Sequence, residues 1–412
     1  MTGSPPLHLT NLQLLDPAFD APRGGHEVLI AGERIVEVSD RPIAAPGADR
    51  LDLGGRVLMP GLIDCHVRCM DAGPHMPGGE EPLTLATARA AHRLRAMLDR
   101  GFTTVRDTGG TDRGVKAALD QGLIAGPRLF ISGRAIDPTG GLADGQASGG
   151  DGDACPCCHG RAVRPVAAEG EDAVRRAVRE QMREGADQIR IIVPGVGSPH
   201  HPPDSPQSPA TGIRAAVDEA ESFGRPVLAH ACCAEAIGRA VAGGVHCIEH
   251  GTMIDESVAR LMARHGAHLV AGLVAHVAIA ERGAAHGMPP ELLERNAMAL
   301  DARFRSLEIC RAAGVPVAFG SDLPGVLADD QSREFSIRAE VMPPIEVIRA
   351  ATTIAAGVLR RPGRLGRVAP GAWADLIVID GDPTRDITLL EGQGRHIAAI
   401  IKGGRFHKNG LN

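Results

Sequence analysis

One alternation constrains this chain more than any other feature. Strand-like runs fall at Thr103–Asp107, Arg128–Ser132, Gln188–Val193, Pro226–His230, Cys247–His250, His268–Leu273 and Val315–Asp322. Helical patterns lie between most of them, at Leu85–Arg100, Glu171–Glu184, Gly212–Phe223, Ala234–Ala242, Asp255–His265 and Pro290–Ala313. Within Glu171–Glu184, Val174, Val178 and Met182 recur on one helical face among charges. An opening strand at Pro60–Arg68 brings the count to eight βα repeats, the number that closes a parallel barrel. The alternative is an open doubly wound sheet. No Gly-x-Gly-x-x-Gly opens a helix after the first strand, which weakens its dinucleotide-binding version.

The two ends read differently. Leu7–Leu15 is apolar with partial alternation, and Glu27–Val38 resembles a hairpin turning at Ala31-Gly32-Glu33. Ala374–Asp380 and Ile397–Ile401 are strand-like again. The expected fold class is therefore α/β. A (β/α)8 TIM-like barrel spans residues 58–364, and a small β-sandwich-like domain is built from residues 1–57 plus 365–412. In this arrangement Ala374–Asp380 lies beside the strands of residues 7–38, because isolated hairpins are marginal in water.

A chain of 412 residues, 43% hydrophobic, can bury a full core. It has one Trp, eight Phe and no Tyr, so no phenol serves as acid, base or oxyanion donor. Lys plus Arg total 44 against 50 Asp plus Glu, a net charge of -6. That balance gives no electrostatic case for nucleic acid or an anionic membrane as partner. The start lacks a signal-peptide pattern and no apolar run reaches membrane-spanning length, so a cytoplasmic protein acting on a small molecule is expected, with homo-oligomerisation left open. Nine cysteines suit free thiols better than a disulfide framework.

Chemistry gathers where the strands end. The first closes on Asp64-Cys-His-Val-Arg68, and side chains two apart on a strand face the same side, so His66 and Arg68 project together. The fourth, fifth, sixth and eighth strands bring Arg190, His230, His250 and Asp322. Singly, each has an ordinary structural role: His230 as a satisfied core histidine, Asp322 as the cap of a turn. Together on one barrel they form a ring at its mouth. Three imidazoles and a carboxylate make a ligand set for a zinc-like cation.

At these residues the sequence resembles the amidohydrolase superfamily of metal-dependent hydrolases, most closely its imidazolonepropionase-like and Xaa-Pro dipeptidase-like branch. The resemblance covers nearly the whole chain. It rests on Pro60-Gly-Leu-Ile-Asp64, Thr104-Val-Arg-Asp-Thr-Gly109, Ile248-Glu-His-Gly251, Gly320-Ser-Asp322 and Gly366-Arg-Val-Ala-Pro-Gly-Ala-Trp-Ala-Asp-Leu-Ile-Val-Ile-Asp380.

The departures lie in the ligand set. The family has His-x-His on the first strand, where this chain has Arg68. It has a Lys, often carboxylated to bridge two metals, on the fourth, where Gly185-Ala-Asp-Gln-Ile-Arg190 stands. The Gly-Gly-His-Gly-like run after strand three is Gly140-Gly-Leu-Ala-Asp144, and a frequent Pro-Thr on strand seven is Ala271-Gly272. A guanidinium offers no lone pair and forms no carbamate. A unit charge at ~4 Å costs about 4 kcal/mol at an effective dielectric of 20, doubled for a divalent ion. Two metals are thus excluded, leaving one divalent ion, zinc first, on His66, His230, His250 and Asp322, or none.

The expected activity is hydrolysis of a C–N bond in a small amide, cyclic amide or dipeptide-like molecule. Asp322 acts as base and acid, and His250 polarises the carbonyl or completes the metal shell. Two alternatives stand beside it. One is a metal-free enzyme in which Arg68 and Arg190 clamp an anion for lyase or isomerase chemistry. The other is an inactive binding protein. Cys155-Pro-Cys-Cys-His159, even with Cys232-Cys233, reads as free thiols near the mouth rather than as a zinc site.

Overall fold

The computed structural model describes residues 5–71, 82–138, 165–193 and 208–411. The eight expected strands of the middle all form, at Leu62–Val67, Phe102–Asp107, Arg128–Ile131, Ile189–Ile192, Val227–Cys233, Cys247–Met253, His268–Ala271 and Val317–Phe319. The first three make one parallel sheet. The last five make another, extended at one edge by the short pairs Ile136–Asp137 and Val166–Ala167.

Polar contacts span both seams between these sheets. The backbone N–H of Asp322 donates to the carbonyl of His66 at 2.9 Å, and that of Asp187 donates to Ile131 at 2.7 Å. The Asp187 carboxylate accepts from the Ile131 N–H at 3.0 Å. The arrangement is a TIM-barrel type with an additional sheet.

Helices cover the strands as their patterns require. Gly170–Arg183 buries Val174, Ala177, Val178 and Gln181, one stripe at helical spacing. Glu256–His265 starts where the Asp255 carboxylate accepts from the Val258 N–H, and it stops at Gly266, whose positive φ closes the last turn. Several helices were not expected, among them Arg113–Asp120 and Val274–Arg282. Arg113–Asp120 is short, and Asp112 caps it by accepting from Gly114 and Val115. Val274–Arg282 follows strand seven almost directly. Its sequence is apolar on several sides and shows no single amphipathic stripe.

Both chain ends enter one eight-stranded sheet. Its order is Arg405–Asn409, Ile397–Lys402, Leu376–Ile379, Val57–Pro60, Leu7–Leu14, Arg23–Ala31 and Arg34–Ser39, with Asp49–Asp52 beside Leu7–Leu14. Leu9, Leu14, Val28, Ile30, Leu58, Leu376, Val378 and Ile401 pack its core. The expected neighbour of Leu376–Ile379 changes. It pairs with Val57–Pro60 and Ile397–Lys402, one strand away from Leu7–Leu14. Residues just before it do reach the hairpin, where the Ile35 N–H donates to Ala372 and the Ala374 N–H to Glu33. Among the described residues, no helix is long and apolar enough to cross a membrane.

Candidate active site

Strands one and eight approach closely at Gly320. A Cβ there would lie 2.9 Å from the Cβ of His66 and collide with Val270. This closeness sets Ser321 and Asp322 over His66. Asp64 fixes the register: its Oδ1 accepts from the N–H groups of His66 (2.9 Å) and Ser321 (3.1 Å), and its Oδ2 from Ser321 Oγ (2.6 Å) and Gln331 Nε2 (2.8 Å).

Above this, Asp322 collects three basic groups. His66 Nε2 lies 3.1 Å and Arg68 Nε 3.2 Å from its Oδ1, and His250 Nδ1 lies 3.3 Å from Oδ2. Ligand atoms of His66, His250 and Asp322 fall within 4.8 Å of one another. The ring of His230 packs edge-on against His250 with centroids 4.3 Å apart, but His230 stands outside that three-residue group. The ring of His66 is 5.1 Å from that of His250. Arg190 turns elsewhere, donating from Nη1 to the Thr108 carbonyl at 3.0 Å.

Two of these residues hold unusual backbone. His250 has φ 72° and Asp322 φ 50°, a left-handed region that costs free energy outside glycine. At His250 the effect is visible. Neighbours in a regular strand face opposite sides. Here Glu249 reaches His66 while His250 reaches Asp322, so both serve the same site.

Glu249 escaped the sequence reading. Its Oε2 lies 2.7 Å from His66 Nδ1, and its Oε1 accepts from Arg106 Nη2 at 2.6 Å. A carboxylate only accepts, so the Nδ1 proton of His66 points at Glu249 and Nε2 is left toward Asp322. The available signal was a charged residue in an otherwise apolar strand, Cys247-Ile-Glu-His250, and Arg106 on strand two carried the same signal.

Charges follow from this geometry. Burial opposes ionisation of Glu249, yet Arg106 and His66 hold its carboxyl down at about 2. Burial likewise opposes the Asp322 charge, but His66 and Arg68 keep it well below the usual carboxylate range. Burial works against a charged His66 too, and the carboxylates of Asp322 and Glu249 outweigh it, raising its pKa. His230 is pushed down to about 3 by burial and then by Arg190, and His250 falls by burial and then by His230. Among the described residues, buried ring nitrogens of five histidines have no hydrogen-bond partner: His66 Nε2, His230 Nδ1 and His250 Nε2 at the site, and Nδ1 of His268 and His276.

Cys65, Cys69, Cys232, Cys233, Cys247 and Cys310 are free thiols, as expected, and Cys232 Sγ is 3.8 Å from His230 Nε2. The Cys155–His159 and Gly140–Asp144 runs lie outside the described residues.

The amidohydrolase family model matches residues 57–405. Ochratoxinase of Aspergillus niger is 30% identical over 373 residues, 85% of this chain and 76% of the relative. The crystal structure of an amidohydrolase superposes with a TM-score of 0.94 at 44% identity, covering 99% of this chain and 100% of that one. A prolidase complexed with N-methylphosphonate-L-proline gives 0.93 at 43% identity, covering 98% and 100%. Imidazolonepropionases and an Xaa-Pro dipeptidase are among the other relatives, in keeping with the branch that the motifs imply. Matching a family model over most of its length, the chain belongs to the amidohydrolase family and is a hydrolase.

Proposed function

We propose that this protein hydrolyses a C–N bond of a small amide, cyclic amide or dipeptide-like molecule with the help of one divalent metal, zinc first among candidates. His66, His250 and Asp322 would hold it, with His230 alongside. The observation that carries this reading is the clustering of His66, His250 and Asp322, whose ligand atoms fall within 4.8 Å of one another, with a buried ring nitrogen on each histidine that has no hydrogen-bond partner among the described residues. Buried polar atoms are nearly always hydrogen-bonded, so such a set fits a missing ligand. Burial keeps His230 and His250 neutral, the form that ligates. The amide and dipeptide-like class draws support from the prolidase and ochratoxinase relatives.

A bound divalent ion supplies Lewis acidity and makes water a stronger acid. Asp322 takes the proton of the attacking water on a carboxylate oxygen and returns it to the leaving nitrogen. His66, fixed through Nδ1 by Glu249, keeps its Nε2 side toward Asp322 throughout. Arg68, whose side chain is 36% exposed, has room to swing toward solvent. A second metal does not fit, because Arg68 and Arg190 occupy the positions that would supply its ligands. The same reading takes residues 58–364 as a closed (β/α)8 barrel and residues 1–57 plus 365–412 as a composite β domain.

A second reading is favoured by one contact, Arg68 Nε at 3.2 Å from Asp322 Oδ1. A guanidinium held there disfavours a cation. In this metal-free version Arg68 and Arg190 clamp an anion while Asp322 and a histidine carry lyase or isomerase chemistry, or the protein only binds. Elemental analysis of the purified protein separates the two. About one ion per chain, lost in His250→Asn, supports the hydrolase with one metal. Two tightly bound ions, or none, overturns it. Arg68→His with Arg190→Lys should raise uptake toward about two.

A further inference from the structure

Four arginines are almost fully buried: Arg100, Arg106, Arg303 and Arg338. Arg100 donates to Gln331, Gln393 and the Ala328 carbonyl, and Arg303 to the Gly272 carbonyl. Arg338 donates to Glu334 and the Ala318 carbonyl. Arg106, on strand two, does something the others do not. Its Nε donates to the Cys65 carbonyl at 2.5 Å, and its Nη2 to Glu249 Oε1 at 2.6 Å. Cys65 precedes His66 and Glu249 precedes His250, so one guanidinium grips the residue before each of two candidate ligands. Strands one and six lie in different sheets, and among the described residues no ladder joins them.

The setting argues against a role in stability alone. Ile63, Phe130, Leu228, Cys247, Val270 and Ala318, from strands one, three, five, six, seven and eight, pack in one core cluster. Arg106 and Glu249 place an ion pair against it. Cys247 Sγ lies 3.8 Å from Arg106 Nη2 and donates to Glu249 Oε1 at 3.1 Å. A buried ion pair gains little over hydrocarbon of the same volume, because desolvating two charges offsets their attraction. What such a pair adds is direction, since charge-assisted bonds fix where each partner points. Here the direction continues from Glu249 Oε2 to His66 Nδ1 at 2.7 Å.

We propose that Arg106 is a positioning residue of the site. By tying strand one to strand six through the Cys65 carbonyl and Glu249, it sets how His66 and His250 meet around Asp322. This rests on the metal-dependent hydrolase reading only where metal affinity is the readout.

Two variants test it. Arg106→Met alone would strand the Glu249 charge, so it is combined with Glu249→Gln, whose amide oxygen can still accept from His66 Nδ1. Arg106→Lys leaves Glu249 untouched but loses the planar fork that reaches two acceptors. Zinc affinity is read by competition with a chelator. In metal-free protein the His66 Nδ1–H signal is followed by NMR of isotope-labelled histidine, assigned by its loss in His66→Asn. The double variant should melt no lower than wild type yet bind zinc about 10–100-fold more weakly, the usual cost of losing an outer partner of a ligand. Arg106→Lys should bind zinc about tenfold more weakly and shift the His66 signal. Arg338→Lys, at another buried ion pair, should lower the melting temperature and move neither readout.

Wild-type zinc affinity in the double variant overturns the positioning role. So does Arg106→Lys matching wild type in both readouts, since Glu249 then works unaided, and this decides the matter where the double variant does not fold. Equal losses in Arg338→Lys overturn it too, because any buried arginine would then serve. If wild type binds no zinc, the hydrolase reading falls and the His66 signal alone judges Arg106. If wild type binds about one zinc and the substitutions change nothing, Arg106 is structural and the hydrolase reading stands.

Discussion

Asp64 and Asp322 sit at two levels of one seam, between the first and eighth strands, and their polar surroundings are opposite in kind. Asp64 is closed. Both its oxygens are taken up by two backbone N–H groups, a hydroxyl and an amide, all from 2.6 to 3.1 Å. Asp322 is open. Its neighbours are two imidazoles and a guanidinium at 3.1 to 3.3 Å, and the nitrogens of His66 and Arg68 that face it lack hydrogen-bond geometry. Donors that close around a carboxylate make it a structural pin. Donors that gather without closing leave it free to take a proton or join a ligand shell. Burial does not separate the two roles, because both carboxylates are buried or nearly so.

Substitution should divide them cleanly. Asp322→Asn keeps the shape but removes the base, and turnover of a C–N substrate should fall by about 10²–10⁴-fold with little change in melting temperature. Retention of more than about a tenth of wild-type activity would make Asp322 a structural residue as well. Asp64→Asn should do the opposite, costing about 2–4 kcal/mol of stability, since an amide NH₂ is turned on donors that then lack an acceptor. Urea unfolding measures this, and a loss below about 1 kcal/mol would remove the distinction drawn here.

The smallest effect contrasts the two ends of the sixth strand. His246, just before it, lies against Gly357 and His268, and burial, then the His268 charge, pushes its pKa down to about 4. A histidine lowered on folding stabilises the native state fully above its unfolded value. That contribution is lost as pH falls from about 6.5 toward 4. In that window the wild type should take up protons on unfolding, and His246→Phe should reduce the uptake by up to about one proton. An unchanged slope of stability against pH would place His246 in water.

What the sequence disclosed follows from how far each signal reaches. Strand ends were legible because an apolar run that stops on His, Arg or Asp announces a face, and His66, His230, His250 and Asp322 all stand on such runs. Glu249 stood in plain view, but its role depends on the left-handed turn at His250, which no residue type dictates. Arg303 gave no local sign at all. On a charged helix it looks like any solvated arginine, and only the packing of Pro290–Ala312 against Gly272 buries it. Val274–Arg282 was missed for the converse reason, since a helix apolar on several sides has no stripe to detect.

The unbroken sheet has a consequence for biogenesis. Val57–Pro60 leads through Gly61 alone into the strand that carries His66, and it is paired along its whole length with Leu376–Ile379. A ribosome releases the first of these segments long before it makes the second. Until then the nascent chain holds an open edge at Val57–Pro60, the kind of edge that recruits stray strands. Pairing so distant in sequence is slow to find its partner. The last strands to emerge therefore act as a latch on the first barrel strand, and the site they help to hold matures only once synthesis has passed them.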